Sequence, residues 1–181
     1  MKKKVLWITE TAVMLALLVV LQWLTTPLGQ FVTGSCVNAV LAIAVLFCGM
    51  SSGITVALVS PVCAYLLGIA PQILTVPAIM IGNTAFVVAL RMAGGGSKLL
   101  WKNVTAWLGA ALCKFALLYI IVKYVICGIL ADGLMAQGLL KAPMLTALPA
   151  TFGAAQLVTA LIGGALALLI VPVLKKALKR N

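Results

Sequence analysis

Apolar residues run through this chain in six long blocks separated by short breaks of polar residues, glycine and proline. Blocks of that length and continuity predict helices surrounded by lipid, not alternating strands or one-sided surface helices. The first covers about Val5 to Thr25, and a polar loop, Thr25 to Ser35, separates it from the second, about Cys36 to Cys48. Gly49-Met50-Ser51-Ser52-Gly53 makes a tight turn, the third block runs to about Leu67, and Gly68 to Pro71 turns into the fourth, which ends near Met92. Gly94-Gly95-Gly96-Ser97 reads as a flexible connection to the fifth, about Trp101 to Cys127. A longer connection, Gly128 to about Thr146, carries Asp132 and Lys141 before the sixth, about Leu148 to Leu174. The second and third blocks are short: about 13–17 residues reach only about 20–25 Å as helix against about 30 Å of hydrocarbon. They are expected to stand untilted, to borrow turn residues or to thin the bilayer.

Composition sharpens this picture. Of 181 residues, 65% are apolar and 8% are charged, with a mean hydropathy of +1.26. A soluble domain of this size could not hide so much apolar surface. The expected fold is all-α: one polytopic membrane domain of six transmembrane helices over residues 1–181, with no internal repeat and no separate water-soluble domain. The start, Lys2-Lys3-Lys4 before an apolar run, imitates a signal peptide, but the run is long for one and no A-x-A site follows. Thr33-Gly34-Ser35-Cys36 lacks the leucine that opens a lipoprotein cleavage site. The first helix is expected to be retained.

Thirteen basic residues face two acids. In a soluble protein that excess would point to nucleic acid; here the charges cluster where topology signals belong, and no nucleic-acid role is expected. Six crossings from a cytoplasmic N-terminus put Lys2, Lys3, Lys4, Arg91, Lys98, Lys102 and the C-terminal Lys175, Lys176, Lys179 and Arg180 inside, against Lys123 and Lys141 outside. That bias predicts N-in and C-in in the cell membrane. Trp7, Trp101 and Trp107 then fall near the inner interface, and Trp23 and Tyr124 near the outer one.

Histidine is absent, and five cysteines (36, 48, 63, 113, 127) are scattered without a C-x-x-C pair. This excludes histidine-based metal sites, Ser-His and Cys-His catalysis and histidine proton relays; the thiols read as buried. Glu10 and Asp132 offer no carboxylate pair for acid–base work. No Walker-type G-x-x-x-x-G-K-[ST] occurs, so the chain cannot itself hydrolyse ATP. Neither an enzyme nor a cofactor or metal site is expected.

What remains is polar chemistry inside the membrane, where an ionisable group is a functional hypothesis by default. Lys114 lies mid-helix in the fifth block, about twelve residues, or about 18 Å, from its outer end, too far to snorkel. Asn83 and Gln156 fall at similar depth on the fourth and sixth. Three such groups on three helices predict a pocket open to the outside, with Thr84, Thr151 and Thr159 able to line the same layer; amides gluing helices together are the structural alternative. An ammonium with two amides suits an acceptor-rich ligand such as a carboxylate. Trp23, Phe31, Tyr65, Phe86 and Phe152 could instead stack on a neutral ring. Glu10 reads as pairing with a nearby lysine, reaching water or meeting a partner protein. Ala12 and Ala16, four apart on the first helix, share one small-residue face that admits close approach of another helix.

The length, the six blocks, the basic termini, Ala12-Val13-Met14-Leu15-Ala16 on the first helix, and Pro27 to Gly34 followed by Asn38, Gly49, Gly53 and Ser60-Pro61 together resemble the substrate-binding S components of energy-coupling factor (ECF) transporters, which take up vitamins and related micronutrients. The resemblance implies that Ala12 and Ala16 pack on a transmembrane coupling subunit, that two ATPase subunits supply the energy, and that the ligand sits between the outer parts of helices four to six. Asn83, Lys114, Gln156, Thr84 and Thr151, with Phe31 and Tyr65 near the covering loops, are the expected binding residues. It does not name the vitamin; Lys114 favours an acid such as pantothenate, folate or biotin. The alternative from another class is a self-contained facilitator or exporter using Lys114 as a gate or anion site. A membrane hydrolase or an assembly protein fits the residues less well.

Overall fold

A computed structural model describes residues 2–69, 72–97 and 99–179. Every regular element among them is helical. Helix α1 spans Lys2–Thr25, α2 Gln30–Ile43, α3 Met50–Leu66 and α4 Thr75–Met92. Then come α5, Leu100–Ile120, the short α6, Ala131–Ala136, α7, Met144–Thr151, and α8, Ala154–Ala177. Two of these continue in wider π turns, α2 through Ala44–Cys48 and α5 through Ile121–Ile129. Five helical stretches are long and apolar enough to cross a membrane, and α3 is a shorter apolar helix. The chain is therefore built as a helical membrane protein. The turn expected at Pro71 and the charges at Lys98 and Arg180 lie outside the described residues.

Two expected boundaries and one expected flexible connection are corrected. The polar stretch after α1 is not a loop. A single 3₁₀ turn, Thr26–Leu28, ends at Gly29 (φ +90°), and helix resumes at Gln30, so the second apolar stretch runs 19 residues, Gln30–Cys48. Its polar residues do not break the helix because they bond back along it: Thr33 Oγ1 donates to Gly29 O (3.1 Å) and Ser35 Oγ to Phe31 O (2.6 Å). The sixth block is not one helix but α7 and α8, divided at Phe152–Gly153. A Cβ on Gly153 would stand 2.7 Å from Pro149 O, so the break between the two helices leaves no room for a side chain there. The glycine-rich connection between α4 and α5 is pinned: Arg91 Nη1 donates to Gly95 O (3.0 Å), Gly96 N to Asn103 Oδ1 (2.8 Å) and Asn103 Nδ2 to Ser97 O (2.8 Å).

The helical runs alternate in direction. One end of the bundle gathers the start of α1, the end of α2, Arg91 of α4, the start of α5 and Lys175 of α8 around a hollow of about 940 Å³. The other gathers the end of α1, the start of α2, and parts of α4, α7 and α8. Between them lies an apolar core in which Leu41, Ala42, Ala44, Val45, Ala110 and Ala160 are fully buried. Large apolar side chains along α1, among them Val5, Ile8, Val13, Val20 and Leu24, face outward, as suits a lipid surround.

Helices α2 and α8 make the most extensive contact, and glycine sets their spacing. A Cβ on Gly163 would meet Ser35 O at 2.5 Å, Asn38 Cβ at 2.6 Å and Ala39 N at 2.7 Å, so α8 lies almost on the backbone of α2. On the reverse side, Gly164 faces the Trp107 ring, whose Nε1 donates to Ala160 O (3.4 Å). Trp107 is therefore a packing residue between α5 and α8. Gly163→Ala should lower stability by about 1–3 kcal/mol through overpacking, read as a fall in the thermal unfolding temperature in detergent. Gly109→Ala, on an exposed face with open space around it, should leave that temperature unchanged or raise it.

Candidate functional site

Lys114 sits on the inward face of α5, only 2% exposed. An ammonium there must find acceptors within the protein, because an unmet charge in apolar surroundings costs several kcal/mol. Its Nζ donates to Asn38 Oδ1 (2.6 Å) on α2 and to Asn83 Oδ1 (2.7 Å) on α4. The Phe86 ring lies 5.8 Å from Nζ and adds a cation–π contact. Among the described residues no carboxylate stands within ion-pair distance of it.

The network continues into α8. With its oxygen turned to Lys114, Asn38 presents Nδ2 to Thr159 Oγ1 (3.2 Å), and the Thr159 hydroxyl donates to Gln156 O (3.1 Å). Gln156, Thr159 and Gly163 recur at helical spacing on one face of α8, the face that meets α2. Four helices are thus joined through one buried lysine.

Above this network lies a cavity of about 220 Å³ that reaches from the Thr26–Gly29 turn down to Lys114. The geometry brings Asn83, Lys114, Gln156 and Thr151 together on its wall. Asn38 belongs there too, and so do Gln22, Gln30 and Thr33, at the end of α1 and the start of α2. None of these four was among the expected binding residues. The signal that locates Asn38 is the start of α2: a helix beginning at Gln30 puts Asn38 eight residues, or about 12 Å, down from its end. A helix beginning at Cys36 would leave it at the mouth.

Three expected residues stand elsewhere. Phe31 is 56% exposed and Tyr65 36% exposed, and neither lines the cavity. Phe31 follows the first residue of α2 and projects outward; Tyr65 sits on the exposed face at the end of α3. Thr84, next to Asn83, points away from the cavity, and its buried hydroxyl has no hydrogen-bond partner among the described residues. Of the other candidate ring residues, Trp23 is exposed and Phe86 wholly buried beneath Lys114, which leaves Phe152 on the cavity wall. On α1, Ala12 and Ala16 are both exposed on one face, while Thr11 turns inward, donating to Trp7 O (2.7 Å) and accepting from Ser52 Oγ of α3 (2.8 Å).

Comparisons with known protein families, with curated proteins and with solved structures returned no match.

If Asn38 and Asn83 hold the ammonium in place, Asn38→Leu should cost about 1.5–3 kcal/mol, the size of a charge-assisted hydrogen bond. Adding Lys114→Met should restore much of that loss, since it removes the charge that lacks its acceptor. A double-mutant cycle by thermal unfolding measures the coupling; additive losses would mean the two side chains do not depend on each other.

Proposed function

We propose that this protein is a membrane-embedded substrate-binding subunit, an S component of an ECF-type importer, which captures a vitamin or related micronutrient outside the cell. Transport is driven by partners: a transmembrane coupling subunit and two ATPase subunits. The observation that carries the proposal is the cavity ending on Lys114, in which a few polar groups converge within a largely apolar wall. A pocket with a fixed ammonium and several amide groups is a binding site, and it opens at the end opposite the basic cluster. With six crossings and both termini cytoplasmic, as the charge bias favours, that opening faces outward. The exposed Ala12–Ala16 face offers the coupling subunit a flat surface without charge. The protein has no catalytic role in this proposal.

The closed end of the cavity supports this reading over a stand-alone facilitator. The polar cavity and the hollow at the basic end share no lining residue, and the fully buried core around Leu41, Ala42 and Ala110 lies between them. A facilitator needs a route that either stays open or opens within the chain; a binding subunit needs only the pocket.

Co-purification with a coupling protein and ATPases tests the partnership, and autonomous uptake by the purified chain in liposomes would overturn it. Replacing Ala12 and Ala16 with leucine should abolish uptake in cells while binding by the purified protein stays intact; equal loss of both would assign the pair to the fold. A reporter fused after Asn181 should read cytoplasmic, and a tag within Ala131–Ala136 should be accessible from outside.

A further inference from the structure

The cavity specifies more than a small molecule. Lys114 has three N–H groups, and the protein takes two of them, both with neutral amide oxygens. The charge is held in place but not cancelled. Because Asn83 turns its oxygen to Lys114, its Nδ2 becomes the donor end of the amide, and among the described residues that group has no protein partner. The Gln156 side chain, 6% exposed on the same wall, likewise makes no hydrogen bond to the protein. Buried amides normally find partners, and here the cavity is where one can be supplied. No carboxylate of the described residues lines the cavity. The floor therefore presents one net positive charge and two donors, the Lys114 Nζ and the Asn83 Nδ2, with nothing of the protein's own to answer them.

Size and shape narrow the ligand further. The cavity volume is about 220 Å³. It lies below the roughly 300–1,000 Å³ of pockets that take drug-sized molecules. Phe152 is the one aromatic residue on the described wall, so a planar ring could be backed on one face but not sandwiched. Toward the mouth the lining includes amides and hydroxyls, Gln22, Gln30, Thr26 and Thr33. Val37, Ile69, Ile79 and Leu148 give apolar wall for the aliphatic part of a ligand.

Building on the capture role proposed above, we infer that the cavity takes a compact aliphatic monocarboxylate carrying hydroxyl or amide groups, its carboxylate seated on Lys114 Nζ and Asn83 Nδ2 and its polar tail toward Gln156 and the α1–α2 turn. One carboxylate cancels the one buried charge; a dianion would leave a second charge unmet, and a cation would face Lys114 directly. Large acids with fused rings exceed the volume, and neutral flat rings lack a stacking pair.

The test uses the full chain in lipid nanodiscs, equilibrated with a bacterial metabolite extract. Protein is recovered by affinity capture, bound small molecules are identified by mass spectrometry, and Lys114→Met, a near match in volume, serves as the control. Each retained acid is then compared with its primary amide by titration calorimetry. The expected result is retention of small aliphatic carboxylates by the wild type alone, with the amide binding roughly ten- to a hundredfold more weakly. Lys114→Arg should also impair the acid, because its fork places the donors differently. Retention of a neutral, cationic or fused-ring compound would overturn this inference and leave capture standing, as would an amide that binds within a few-fold of its acid. Retention of nothing beyond the control would remove the capture role itself, and this inference with it.

Discussion

A single ammonium governs the interior of this protein. Lys114 lies at the floor of a cavity with no carboxylate of the described residues beside it, and its two amide acceptors come from different helices, Asn38 on α2 and Asn83 on α4. Helices in lipid gain little from hiding apolar surface from one another, so close packing and polar contacts decide how they associate. Here one side chain of α5 fixes the rotation of two neighbours, and Thr159 extends the constraint to α8. Because the acceptors are neutral, the same contacts that organise the bundle leave its charge unspent. The atoms that tie the helices together are thus also the floor of the cavity, and Asn83 belongs to both.

That arrangement depends on close approach elsewhere. Asn38 can reach across to both Lys114 and Thr159 only if α2 and α8 lie nearly backbone to backbone, which Gly163 permits and any Cβ would oppose. Gly34 on α2 faces Thr159 in the same seam. The seam runs alongside the cavity, so the spacing of two helices is coupled to the position of the amide that holds the lysine. A substitution at Gly163 acts on the site without touching it.

The sequence carried the coarse architecture plainly, because hydrophobic length is a strong signal and lipid permits few backbones. It also carried the depth of Lys114, Asn83 and Gln156, since helical rise converts residue count into distance. What it concealed came from one misread boundary. Polar residues from Gln30 to Ser35 look like a loop, yet Thr33 and Ser35 satisfy their hydroxyls on their own helix. Moving the start of α2 back by six residues takes Asn38 from the mouth to the floor and adds Gln30 and Thr33 to the wall. Which face a residue presents was the second gap. Phe31, Tyr65 and Thr84 have the right chemistry at suitable depths, but helix rotation is set by packing partners such as Lys114, which composition does not reveal.

The two hollows at opposite ends, with the buried core between them, constrain how anything could pass. Opening a path through that core would part α2 from α8, the seam that carries Asn38 and Thr159. Such an opening would disturb the acceptors of the lysine and leave its charge in apolar surroundings. Moving the whole bundle relative to the bilayer keeps those bonds intact until the cavity meets water on the far side. For the capture subunit proposed above, this wiring is better preserved by moving as a rigid body, with energy from a partner, than by a gate that opens within the chain. The exposed small-residue face of α1, on the helix whose large apolar side chains already face outward, is where a partner could grip the body without disturbing the network behind it.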